Sequence, residues 1–107
     1  MGVLGMTQKA LVLLGDCKEK LRLIEPESLD SLVTDPPAGI GFMSKAWDSY
    51  DSLQQFQKDL AVVFKETLRV LKPGAHGLVW ALPRTSMFTG LALVDAGFQV
   101  RDAVVHL

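Results

Sequence analysis

Asp35-Pro36-Pro37 is the stretch of this chain whose residue types bear most directly on chemistry. It closes a short hydrophobic run, residues 29–34. Two consecutive prolines fix the backbone φ angles there and remove the amide donors. The aspartate ahead of them is pushed towards an extended conformation. The product is a stiff hook that offers a carboxylate and bare carbonyl oxygens, all acceptors. Its complement is a ligand with two N–H donors, such as an exocyclic amine. The same residues also read as a rigid turn whose aspartate caps a neighbouring element, because Asp-Pro commonly initiates turns.

Other residues offer less. Asp16 and Glu19 stand three apart, as in a capping box with Asp16 as the helix cap. Cys17 follows, with nothing beside it to activate a thiol. Lys18, Lys20 and Arg22 make a small basic helix surface that reads as a solvated face. Arg84 falls just past a strand and beside Pro83, at an edge where a phosphate would be met. His76 and His106 read as structural or solvated. With one cysteine and two histidines, the chain cannot build a usual zinc site or a disulfide framework. We therefore expect no metal.

These residues need a scaffold, and the hydrophobic pattern supplies one. Residues 10–14 (ALVLL) read as a buried strand closed by Gly15-Asp16, and a short helix follows from about Cys17 to Ile24 until Pro26 stops it. Residues 29–34 (LDSLVT) are a second strand, broken off at the Asp-Pro-Pro hook. Residues 38–49 carry Gly39 and Gly41 and no period, so they read as a loop. A long helix spans about 52–71, with Leu53, Phe56, Leu60, Val63, Phe64, Leu68 and Leu71 on one stripe. Lys72-Pro73-Gly74 ends it. Residues 76–82 (HGLVWAL) form a third strand. Thr85 or Ser86 caps a helix that terminates at Gly97, and residues 98–107 (FQVRDAVVHL) form a fourth strand. The order βαβαβαβ predicts an α/β domain with a parallel sheet.

A chain of 107 residues is one domain at most. At 49% hydrophobic and 21% charged it is globular, and 11 basic residues against 12 acidic advertise no nucleic-acid surface. No apolar run approaches the ~20 residues needed to cross a bilayer. The single cysteine fits a reducing cytoplasm.

The ordered set of Gly15-Asp16-Cys17, Asp35-Pro36-Pro37, then Leu68-Arg69-Val70-Leu71-Lys72-Pro73-Gly74 ahead of an apolar strand resembles the amino-methyltransferases of bacterial and phage DNA, enzymes found in restriction-modification. The resemblance covers roughly residues 11–107. It implies a Rossmann-like core dependent on S-adenosylmethionine, here with an incomplete parallel sheet and flanking helices. It implies methyl transfer to the exocyclic amine of adenine in DNA, on a base flipped out of the duplex. Asp35, Pro36 and Pro37 would be catalytic: the Asp35 carboxylate and Pro36 carbonyl accept the amine hydrogens and aim the nitrogen lone pair. Asp16, with Cys17 beside it, matches the residue that contacts the cofactor's adenine; its reading as a helix cap stays open.

Two departures from the family pattern stand out. The fourth hook residue is commonly an aromatic that stacks on the base, but here it is Ala38, which leaves Phe42 and Trp47 as base-stacking candidates. The 107 residues also contain no glycine-rich Asp-Pro-Phe-x-Gly-Ser-Gly type loop for the methionine part of the cofactor, and no target-recognition segment. The expectation is a truncated form of such an enzyme, active only if completed by other chains, or, alternatively, a non-catalytic interaction module on the same core. Apolar strands with open edges predict a homodimer, the alternative being a compacted four-stranded sheet.

Overall fold

The computed structural model describes residues 10–41, 48 and 50–105. Helix α1 (Cys17–Lys20) begins where the Asp16 carboxylate accepts the Lys18 amide at 2.9 Å, and it tightens into a 3-10 turn over Leu21–Leu23. Strand β1 (Leu29–Thr34) leads to the hook. Helix α2 (Leu53–Val70) starts at Ser52, whose hydroxyl accepts the Gln55 amide at 3.1 Å. Strand β2 (Leu71–Val79) follows it directly, and helix α3 (Ser86–Ala96) completes the described elements.

β1 and β2 pair in parallel across the α2 crossover, so the architecture is α/β with a two-stranded parallel sheet. The ladder runs Ser31–His76, Leu32–Gly77, Val33–Leu78 and Thr34–Val79. Ahead of it, Leu29 pairs with Leu71 and the register slips. Pro73 has no amide to donate, and Gly74 takes a positive φ of 82°, so residues 72–75 leave the ladder's repeat. Lys72-Pro73-Gly74 thus belongs to the start of β2, where the sequence predicts only a helix end.

The core is the seam between α2 and α3: Phe56, Leu60 and Phe64 against Ala92 and Ala96, with Val79 of β2 and Phe98 packed alongside. Leu53 and Leu68, expected on the buried stripe of α2, lie at its exposed margins, and Thr67 and Val70 take the interior positions. Thr67 enters because its hydroxyl donates to the Phe64 carbonyl at 2.7 Å, satisfying a buried polar atom. Gly97 ends α3 in the left-handed region at φ 109°. The Phe98 amide reaches the Leu93 carbonyl and the Gly97 amide the Val94 carbonyl, a Schellman closure that turns Phe98 into the core.

Two expected strands are absent among the described residues. Residues 10–14 have no ladder partner, and Val12 is 88% exposed. Residues 98–105 likewise form no strand, with Val104 and Val105 exposed; residues 106–107 lie outside the described residues. An apolar run becomes a strand only when its amides find a second edge, and composition cannot report whether one is present. The expected third strand is shifted, ending at Val79, with Trp80 still bonded to the Thr34 carbonyl at 3.0 Å.

Candidate functional site

Beyond the carboxyl end of β1, Asp35, Pro36 and Ala38 line a shallow cleft of about 140 Å³ with Trp80, Ala81 and Leu82 from beyond β2. Ligands of open α/β sheets bind at this end of the strands. The Asp35 side chain is exposed, and among the described residues neither its carboxylate nor the Pro36 carbonyl accepts a hydrogen bond. Acceptors left open at a concave surface are available to a donor from outside. The turn-cap alternative for Asp35 therefore has no recipient amide here.

What holds the hook is a second carboxylate. Asp48 is 1% exposed and accepts the amides of Gly39, at 2.5 Å, and Ile40, at 3.3 Å; its carbonyl accepts the Gly41 amide at 2.8 Å. Gly39 sits at φ 77°, and a Cβ there would meet the Phe56 ring at 3.0 Å, so glycine is required by both backbone and space. On the far side the Thr85 hydroxyl donates to the Ala38 carbonyl at 2.6 Å, which explains why Thr85 precedes α3 without capping it through its side chain. The hook is thus fastened to the core through Asp48 and to α3 through Thr85. Beneath it, Tyr50 meets Phe56 edge-on at 5.0 Å. Burial, and then the negative charges of Asp48 and Asp59, push the Tyr50 phenol above its ordinary value.

The remaining sequence candidates are dispersed. Asp16 is occupied as the α1 cap and Cys17 is exposed beside it; neither lines the cleft. Phe42 and Trp47 lie outside the described residues, as does His106. His76 is exposed on β2, and Arg84 is exposed past the cleft without lining it. Among the described residues no group of acidic, histidine or cysteine side chains is placed to hold a metal, and no helix is long and apolar enough to cross a membrane.

A larger hollow of about 510 Å³ lies at the opposite end of the sheet, between the end of α2 and Pro73-Gly74. Two of its three cations, Arg69 and Lys72, are committed: Arg69 binds Glu66 at 2.8 Å and the Leu21 carbonyl at 2.9 Å, while Lys72 binds Asp30 at 2.7 Å. Volume therefore points away from the open acceptors, and chemistry favours the smaller cleft.

Sequence reasoning missed the role of Asp48, Thr85 and Trp80. Asp48 and Thr85 carry no local signal, since each acts across the chain on a loop made elsewhere. Trp80 did carry one. It follows Leu78 by two in a strand beside a one-sided sheet, and alternation alone puts it on the uncovered face. Compared with known proteins, the sequence matches no family model, and no curated protein matches it.

Proposed function

We propose that this chain carries the amine-accepting half of a DNA amino-methyltransferase site, on a Rossmann-like core, with adenine as the base recognised. The observation that supports it is the Asp35–Pro36 pair, two unengaged acceptors on a hook braced by Asp48 and Thr85. A primary amine held by both oxygens presents its lone pair away from the hook, towards an incoming electrophile. S-adenosylmethionine supplies such a methyl electrophile when bound. Asp16 caps α1 through one carboxylate oxygen, and neither it nor Cys17 lines the Asp35 cleft. No transfer step is therefore assigned to these residues. Calorimetry with S-adenosylmethionine and an adenine-containing oligonucleotide tests the reading. Micromolar binding of the cofactor supports it, and no heat at millimolar cofactor contradicts it.

The second reading is an interaction module on the same core, and the uncovered sheet face favours it. Val33, Leu78 and Trp80 are exposed on that face, and Val12, Leu14, Val104 and Val105 are exposed in the unpaired segments. Apolar patches and open strand edges of this kind invite pairing with another chain. Both readings carry a homodimer as a proposal. Light scattering at micromolar concentration is expected to give twice the single-chain mass; a value near 11.7 kDa with a cooperative melt would sink it.

A further inference from the structure

We infer that Trp80 is the stacking platform of the Asp35 cleft, receiving the face of a planar, amine-bearing ring. This rests on the amine-accepting reading above and adds to it the residue that holds the ring. The Trp80 amide donates to the Thr34 carbonyl at 3.0 Å, which sets Trp80 level with the residue immediately before Asp35. Trp80 lines the same cleft as Asp35 and is 61% exposed, although it is one of only two tryptophans in the chain. A large apolar ring left in water beside unengaged acceptors has the composition of a ligand site: a flat apolar surface for area, and a few polar atoms for orientation.

The other lining residues sharpen the fit. Ala38 is small where a bulkier side chain would fill the cleft, and Ala81 and Leu82 add apolar side chains to its wall. A ring lying on Trp80 with its amine towards Asp35 satisfies both features. A saturated amine, such as a lysine side chain, would satisfy the carboxylate and leave the indole face unused. The ligand class is thus an aminated heteroaromatic, with the purine amine of adenosine as its simplest probe. Stacking on an aromatic side chain costs ~1–3 kcal/mol per base when the ring is removed by alanine substitution, and roughly tenfold in affinity is 1.4 kcal/mol.

The test uses the full chain with both tryptophans replaced by 5-fluorotryptophan, each fluorine resonance being assigned with Trp80→Phe and Trp47→Phe variants. Adenosine and inosine are titrated, and affinities are measured independently by equilibrium dialysis. The Trp80 resonance is expected to move saturably with adenosine. Trp80→Ala is expected to weaken adenosine about tenfold, with Trp80→Phe restoring most of the loss because it keeps a ring. Asp35→Ala is expected to erase the preference for adenosine over inosine while the Trp80 shift persists. Adenosine bound with only the Trp47 resonance moving, or with neither moving, overturns the role of Trp80 and leaves the Asp35 reading standing. A Trp80 shift with inosine binding as tightly as adenosine supports the platform and overturns the amine reading. No binding of either nucleoside in dialysis overturns both.

Discussion

Asp48 is almost wholly buried and receives the amides of Gly39 and Ile40, whereas Asp35, at the other end of the same loop, is exposed and accepts no hydrogen bond among the described residues. The residue type is the same and the loop is shared, so the difference lies in what the backbone does around each. Residues 39–41 curl so that their amides converge on Asp48, with Gly39 and Gly41 at positive φ. Around Asp35 the prolines remove the amides that would otherwise turn towards it. A carboxylate ringed by amides is structure. One deprived of them, at a concave strand end, is free to serve a ligand.

The comparison can be broken by asking how much of the fold each region carries. The largest effect is expected in the core, where Phe64 is 2% exposed in the seam between α2 and α3. Phe64→Ala should lower stability by ~3–5 kcal/mol in denaturant melts. A loss below ~1 kcal/mol would mean that this seam is not the core. Gly39→Ala comes next, at about 2 kcal/mol, because the new methyl group must accept a left-handed backbone and press on the Phe56 ring. No loss would show that the loop relaxes away from Phe56 without cost.

A smaller effect of opposite sign is expected at Thr89, one turn along α3 from the tether at Thr85. It is 2% exposed, and its hydroxyl meets no hydrogen-bond partner among the described residues. Thr89→Val keeps the shape and removes the orphaned group, so stability should hold or rise by up to ~1 kcal/mol. A clear loss would reveal a partner for that hydroxyl.

The smallest effect is in Tyr50, the only tyrosine. Its raised phenol means that the folded state keeps its proton where the unfolded chain, at about 10, gives it up. The stability this contributes is fully present below about pH 10 and is lost as pH rises through the folded value. Absorbance titration should place the folded midpoint above 10, and Tyr50→Phe should flatten the alkaline loss; a midpoint at or below 10 would remove Asp48 and burial as its neighbours.

How much of this was legible beforehand depends on the range over which each residue acts. α2 and the Gly97 stop of α3 could be read because periodicity and helix stop signals are local. The open hook was legible too, since consecutive prolines constrain their own backbone. The missing strands were not, because residues 10–14 and 98–105 have strand composition and pairing depends on an edge elsewhere in space. Asp48 was not legible either: its task is set by amides eight and nine residues upstream, and only the folded loop brings them to it.

The account stands most directly on the division of labour between the two aspartates, and paired denaturant melts of Asp35→Ala and Asp48→Ala measure it. Asp48→Ala strands buried amides and should cost about 2–3 kcal/mol, while Asp35→Ala should cost less than ~1 kcal/mol. A loss above ~2 kcal/mol for Asp35→Ala, with Asp48→Ala near neutral, would contradict the account and make Asp35 a structural residue.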